Sequence, residues 1–135
     1  MIPVFQTKYG EGKGNCFQAA IASIMELELE KVPDFANQYK DDGRWWEEYN
    51  KWLDQFGLEA VTITFSQEGL SKVSKNAYFL VSGPSKANGV GHCVVYQGDK
   101  LAHDPHKGWN GIIPEVIDLI FSKDPSVTLN KIKEQ

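Results

Sequence analysis

An activated thiol nucleophile needs a cysteine, a histidine to serve as its base and a carboxylate to orient that histidine. The chain offers these in that order at Cys16, His92 and Asp104. Cys16 precedes a run of helix formers without a breaker, Phe17-Gln18-Ala19-Ala20-Ile21-Ala22-Ser23-Ile24-Met25, which puts it in the first turn. There the unpaired backbone N–H groups favour a thiolate and can cradle an oxyanion. A helix end contributes only about 0.3–2 kcal/mol, too little to activate a thiol at neutral pH, so a cationic partner is required. Of His92, His103 and His106, the first is the best base, because it opens the apolar strand 92–96 directly after the glycine-rich stretch Asn88-Gly89-Val90-Gly91.

Strand alternation sets His92, Val94 and Tyr96 on one face and Cys93 and Val95 on the other, so Cys93 is expected in the core. The turn Gln97-Gly98-Asp99-Lys100 returns the chain as strand 101–104 and brings Asp104 beside His92 or Cys93. A carboxylate there fixes the imidazole tautomer and stabilises its cation.

These residues need a frame. Residues 16–25 predict a buried helix with Asn15 as N-cap, and Ala19, Ala20, Ala22 and Ser23 allow close approach of other elements. Asp34 is placed to cap a short helix running toward Gly43. Trp45, Tyr49, Trp52, Leu53 and Phe56 recur at steps of three and four, which predicts an amphipathic helix with a core-facing aromatic stripe, Gly57 as its stop and Trp46 as a surface contact. Strands are expected at 59–65, 77–81, 92–96 and 101–104, a short helix at 114–121 and a last strand at 127–129, with 82–91 as a mobile rim. Helices first and antiparallel strands second give an α+β domain, residues 1–135 as one unit, in which the N-terminal helix carrying the cysteine packs on the sheet.

The strings GNCFQAAIAS, GHCVVYQG and HDPH resemble the papain-like cysteine peptidase superfamily, especially small bacterial and phage domains similar to bacteriocin-leader (double-glycine) peptidases. The resemblance covers roughly residues 2 to 108 in element order and implies a papain-like fold. It makes Cys16 the nucleophile, His92 the general base and acid, and Asp104 the orienting residue. Gln6, which precedes Cys16, becomes the oxyanion donor together with the Cys16 N–H, with Gln18 as the fallback. Ten residues separate Gln6 from Cys16, more than that superfamily commonly allows, so the loop Gly10–Gly14 must bulge. Trp109, His106 and Gly91 are the candidate substrate contacts, Trp109 also as a shield for the His–Asp pair.

The expected activity is peptide or isopeptide hydrolysis through an acyl-enzyme, without cofactor or metal. Deamidation, peptidoglycan amide cleavage and acyl transfer use the same machinery, and a papain-like binding module without turnover is the alternative of another class. A metal site from Cys93, His103 and His106 is a third reading, unsupported by any CxxC or HExxH pattern, and Gly10-x-Gly12-x-Gly14 lacks the ending and frame of a phosphate loop.

Composition narrows the partners. In 135 residues there are 18 Asp+Glu against 14 Lys+Arg, a net charge of -4, and Arg44 is the only arginine, which disfavours nucleic acid as a partner. No run approaches the roughly 18 apolar residues of a membrane span, and the N-terminus lacks a basic region followed by an apolar one. A cytoplasmic protein with two reduced thiols, acting on a peptide or protein and without a membrane, is therefore expected. Oligomeric state is not legible from the sequence.

Overall fold

Five strands form one open antiparallel sheet, with the spatial order β1-β5-β2-β3-β4. The strands are β1 (Leu58–Thr64), β2 (Tyr78–Pro84), β3 (Gly91–Gln97), β4 (Lys100–His103) and β5 (Val116–Ser122). The α-helices are α1 (Cys16–Met25), α2 (Phe35–Gln38), α3 (Trp45–Asp54), α4 (Gln67–Ser71) and α5 (Pro125–Lys133). The structure, a computed structural model, describes residues 1–72 and 74–135. It is an α+β arrangement, and no helix among the described residues is long and apolar enough to cross a membrane.

One face of the sheet carries α1 and α3. Phe17, Ala20, Ile21 and Ala22 of α1 and Tyr49 and Leu53 of α3 pack there against Ala60, Leu80, Cys93 and Val95. The small residues of α1 let it lie close to β3, as their size predicts, and Cys93 is core. The opposite face is covered by Leu70 of α4 and by Ile112, over Phe79, Val81, Val94 and Ile117. The alternation expected for β3 is therefore visible in which cluster each residue joins.

Several expectations need correction. Residues 114–121 are not a helix: β5 inserts between β1 and β2 and finds ladder partners on both sides, with Asp118 opposite both Thr62 and Leu80. β-branched Val116, Ile117 and Ile120 suit that doubly flanked position, and tertiary pairing overrides the local spacing. Residues 127–129 are not a strand but part of α5, because Asp124 accepts from the amides of Ser126 and Val127 and Pro125 occupies the first turn. β2 runs on to Pro84, so 82–84 belong to the sheet, and the remaining turn is closed by Ser85 N–H to Val90 O at 2.8 Å and Gly89 N–H to Ser85 O at 2.8 Å. α2 is only four residues long, and the Asp34 side chain accepts from Asn37 and Lys8 instead of capping it. α4 was not expected; Ser66 caps it by accepting from Gly69 N–H.

Two glycines are demanded by the backbone. Gly98 has φ +60 in the two-residue β3–β4 turn, as a glycine at the first central position must. Gly83, opposite His92 in the ladder, lies so close to the Ile113 carbonyl that an added Cβ would sit 2.0 Å from its oxygen.

Candidate active site

The N-terminal segment is laced to α1 and to the end of β4, and this lacing delivers Gln6 to the helix start. Ser23 accepts the Val4 N–H on its Oγ at 2.9 Å, the Ile2 N–H reaches Ser23 O, His103 Nε2 meets Val4 O at 2.7 Å, and the Gln6 N–H donates to Pro105 O at 3.0 Å. Residues 10–14 then fold back on themselves, Lys13 and Gly14 N–H both donating to Gly10 O. This turn takes up the extra length between Gln6 and Cys16.

Asn15 is not a side-chain cap. Its Oδ1 accepts the Thr7 and Lys8 amides at 2.9 Å each, and its Nδ2 donates to Thr7 Oγ1 and Gln18 Oε1. It is 2 % exposed and locks the Gln6 segment to α1, while its own carbonyl starts the helix by accepting from Ala19. The first turn of α1 thus keeps its amides without a side-chain acceptor, beside the half-buried Cys16.

β3 brings His92 up to that thiol. His92 Nε2 and Asp104 Oδ1 are 2.6 Å apart, with side chains 2 % and 7 % exposed. The β3–β4 ladder shifts register between Tyr96↔Leu101 and Val95↔His103, and Asp104 lies just past the end of β4. With Nε2 engaged by the carboxylate, Nδ1 is left open, and Cys16 shares a cleft with the ring and is near enough to perturb it. Burial alone would lower the His92 pKa; hydrogen bonds to Asp104 and Cys16, and the charges behind them, outweigh it and raise it to about 9. Burial likewise would raise Asp104, but His92 and the amides of His106 and Gly111, both 2.9 Å away, hold its carboxyl below the usual range. Cys93 is held well above the ordinary thiol range, first by burial and then by the Cys16 charge.

Cys16, His92 and Gln6 line one cleft of about 240 Å³, together with Gly91, Trp109, the loop Gly10–Gly14 and Asn37 and Lys40. Gln6 Nε2 donates one hydrogen to Lys8 O at 2.9 Å, and its second N–H is free to serve an oxyanion; its Oε1 is buried without a hydrogen-bond partner. Gln18 is committed elsewhere, donating to Leu29 O and Val32 O. Trp109 sets its ring edge-on to His92, centroids 4.7 Å apart. His106 stacks on Trp109 at 4.0 Å and 3°, accepts the Gly108 N–H on Nδ1, and is not among the residues that line the cleft.

Cys93, His103 and His106 are not brought together: the first is in the core, the second holds Val4 O and the third stacks on Trp109. Among the described residues no three His, Cys, Asp or Glu side chains could share a metal ion. The tie made by Asn15 was not anticipated, although its position directly before Cys16 signalled that it belongs to the site. No protein-family model, curated protein or solved structure matches the chain.

Proposed function

We propose that this chain is a small papain-like thiol hydrolase that cleaves a peptide or isopeptide bond. One observation carries the reading: a thiol at the uncapped first turn of a buried helix lines the same cleft as an imidazole held by a carboxylate at 2.6 Å. The order of nucleophile, base and orienting acid along the chain, and the helix packed on the sheet beside β3, agree with the superfamily that the sequence resembles. A free thiol at Cys16 is the working species, which suits a reducing compartment such as the cytoplasm.

The Cys16 thiolate attacks the carbonyl carbon, and the developing oxyanion is met by the Cys16 N–H and the free Gln6 N–H. The C–N bond then breaks as His92 gives its proton to the leaving amine, and a thioester remains on Cys16. His92, now neutral, takes a proton from water, whose oxygen attacks the thioester; the acid leaves and the thiolate–imidazolium pair is restored. Asp104 holds the ring throughout and stays ionised.

The reading is tested by incubating a mixed peptide pool in 18O-water with wild type and with Cys16→Ala. Cleavage through a thioester puts one heavy oxygen into each new carboxyl group in the wild-type digest only. No Cys16-dependent product of any kind would overturn hydrolysis and favour a binding module.

A further inference from the structure

A second depression, a groove of about 440 Å³, opens on the same face of the sheet and is lined by Trp45, Trp46, Thr62, Ser82, Val116 and Asp118. Its chain neighbours tie it to the candidate active site. Ser82 is opposite Cys93 in the ladder, next to the Gly83–His92 pair, and Trp45 packs edge-on against Phe17, next to Cys16, at 5.3 Å.

The floor is a carboxylate. Asp118 is 5 % exposed; its Oδ1 accepts from Thr62 Oγ1 at 2.9 Å, and among the described residues Oδ2 accepts nothing. Among the described residues no lysine or arginine lines the groove, and none is paired with Asp118. A buried carboxylate with one donor and no counter-charge is costly, and burial indeed pushes the pKa of this one above the usual carboxylate value. From α3, the hydroxyl of Tyr49 is fully buried without a partner and feels the charge of Asp118. The walls are two indoles, Trp45 and Trp46, with ring planes 84° apart. Aromatic faces around an unpaired carboxylate are the surroundings that stabilise an organic cation, by charge pairing at the floor and cation–π attraction at the walls.

We propose that this groove binds a cationic group of the substrate, the ammonium or guanidinium of a lysine or arginine side chain close to the bond attacked. The proposal rests on the hydrolase reading for its occupant and on the groove alone for its chemistry, and the two can fail separately.

The probe is agmatine, a guanidinium and a primary ammonium at the two ends of a butyl stem, with N-butylacetamide as an uncharged comparison. Binding is followed by the indole N–H resonances of Trp45 and Trp46 in wild type, Cys16→Ala and Asp118→Asn. A fragment of this size binds in the millimolar range. Agmatine is expected to shift both resonances saturably in wild type and Cys16→Ala alike and about tenfold more weakly in Asp118→Asn, while N-butylacetamide leaves them in place. Asn keeps the shape and the Thr62 contact, and the charged-against-neutral comparison in wild type needs no variant at all. Equal response to both probes, or equal agmatine affinity in Asp118→Asn, would overturn the groove. Charge-dependent binding to a protein whose Cys16 has no catalysis keeps the groove and removes the hydrolase; turnover at Cys16 without charge-dependent binding does the reverse.

Discussion

Asp104 and Asp118 are both withdrawn from solvent, yet their surroundings move them in opposite directions. Asp104 meets His92 and two backbone amides and is held below the ordinary carboxylate range; Asp118 meets a single hydroxyl and is held above it. Burial pushes both upward, and the donors decide where each ends. A carboxylate with three donors is a fixed anion that can orient a base, whereas one with a single donor keeps a lone oxygen for something that arrives.

The largest effect that would break this contrast is at Asp104. Replacing it with Ala leaves the His106 and Gly111 amides and the imidazole without their acceptor, at a cost of about 3 kcal/mol measured by urea unfolding. The rate of Cys16 alkylation near pH 6 should fall about a hundredfold with it. Unchanged stability and reactivity would mean that the carboxylate holds nothing.

The pH dependence of stability follows with opposite signs. Asp104 is depressed in the folded state, so its contribution is complete above the unfolded value of about 3.9 and is lost as pH falls through the lower folded one. His92 is raised to about 9, so its contribution is complete below the unfolded value of about 6.5 and is lost as pH rises through about 9. Thermal melting of wild type should fall at both ends, and His92→Gln should lose the alkaline decline. Turnover should show its alkaline limb near the same pH of about 9.

Asp118 gives a smaller effect of the other sign. Its raised folded value means that ionisation opposes folding at neutral pH and ceases to do so in acid. Asp118→Asn should therefore raise the melting temperature by a few degrees at pH 7, and the gain should shrink in acid and vanish below the unfolded carboxyl value of about 3.9. A drop at pH 7 would show that the charge is paired in solution. Smallest is Trp109→Leu, which removes the edge contact on His92, worth about 1 kcal/mol, and should slow turnover severalfold with little change in melting.

Much of this site could be read from residue order, because its parts are set by local rules. The helix after Cys16 follows from the absence of breakers, the His92 strand from its apolar run, and the approach of Asp104 from a turn whose glycine fixes the hairpin. The placement of Gln6 was legible only as a need, since the Gly10–Gly14 turn and the side-chain tie of Asn15 to the Thr7 and Lys8 amides depend on how this segment folds back onto α1 and not on a local propensity. Asp118 was invisible for a related reason. Residues 114–121 have helix-like spacing, and only insertion between β1 and β2 makes them a strand and turns Asp118 toward Trp45 and Trp46. At 124–129 the Asp–Pro helix start is present in the sequence, and the strand expected at 127–129 gives way to the helix that it caps.

The most direct test of the central claim, that His92 activates Cys16, is the iodoacetamide alkylation rate of Cys16 and Cys93, measured separately by peptide mass spectrometry from about pH 4 to pH 10 in wild type and His92→Ala. The account predicts that Cys16 reacts readily near pH 6 in wild type and loses that reactivity in His92→Ala, while buried Cys93 stays silent in both. Cys16 reacting as an ordinary thiol near pH 8.5 in both proteins, or not at all, would contradict it.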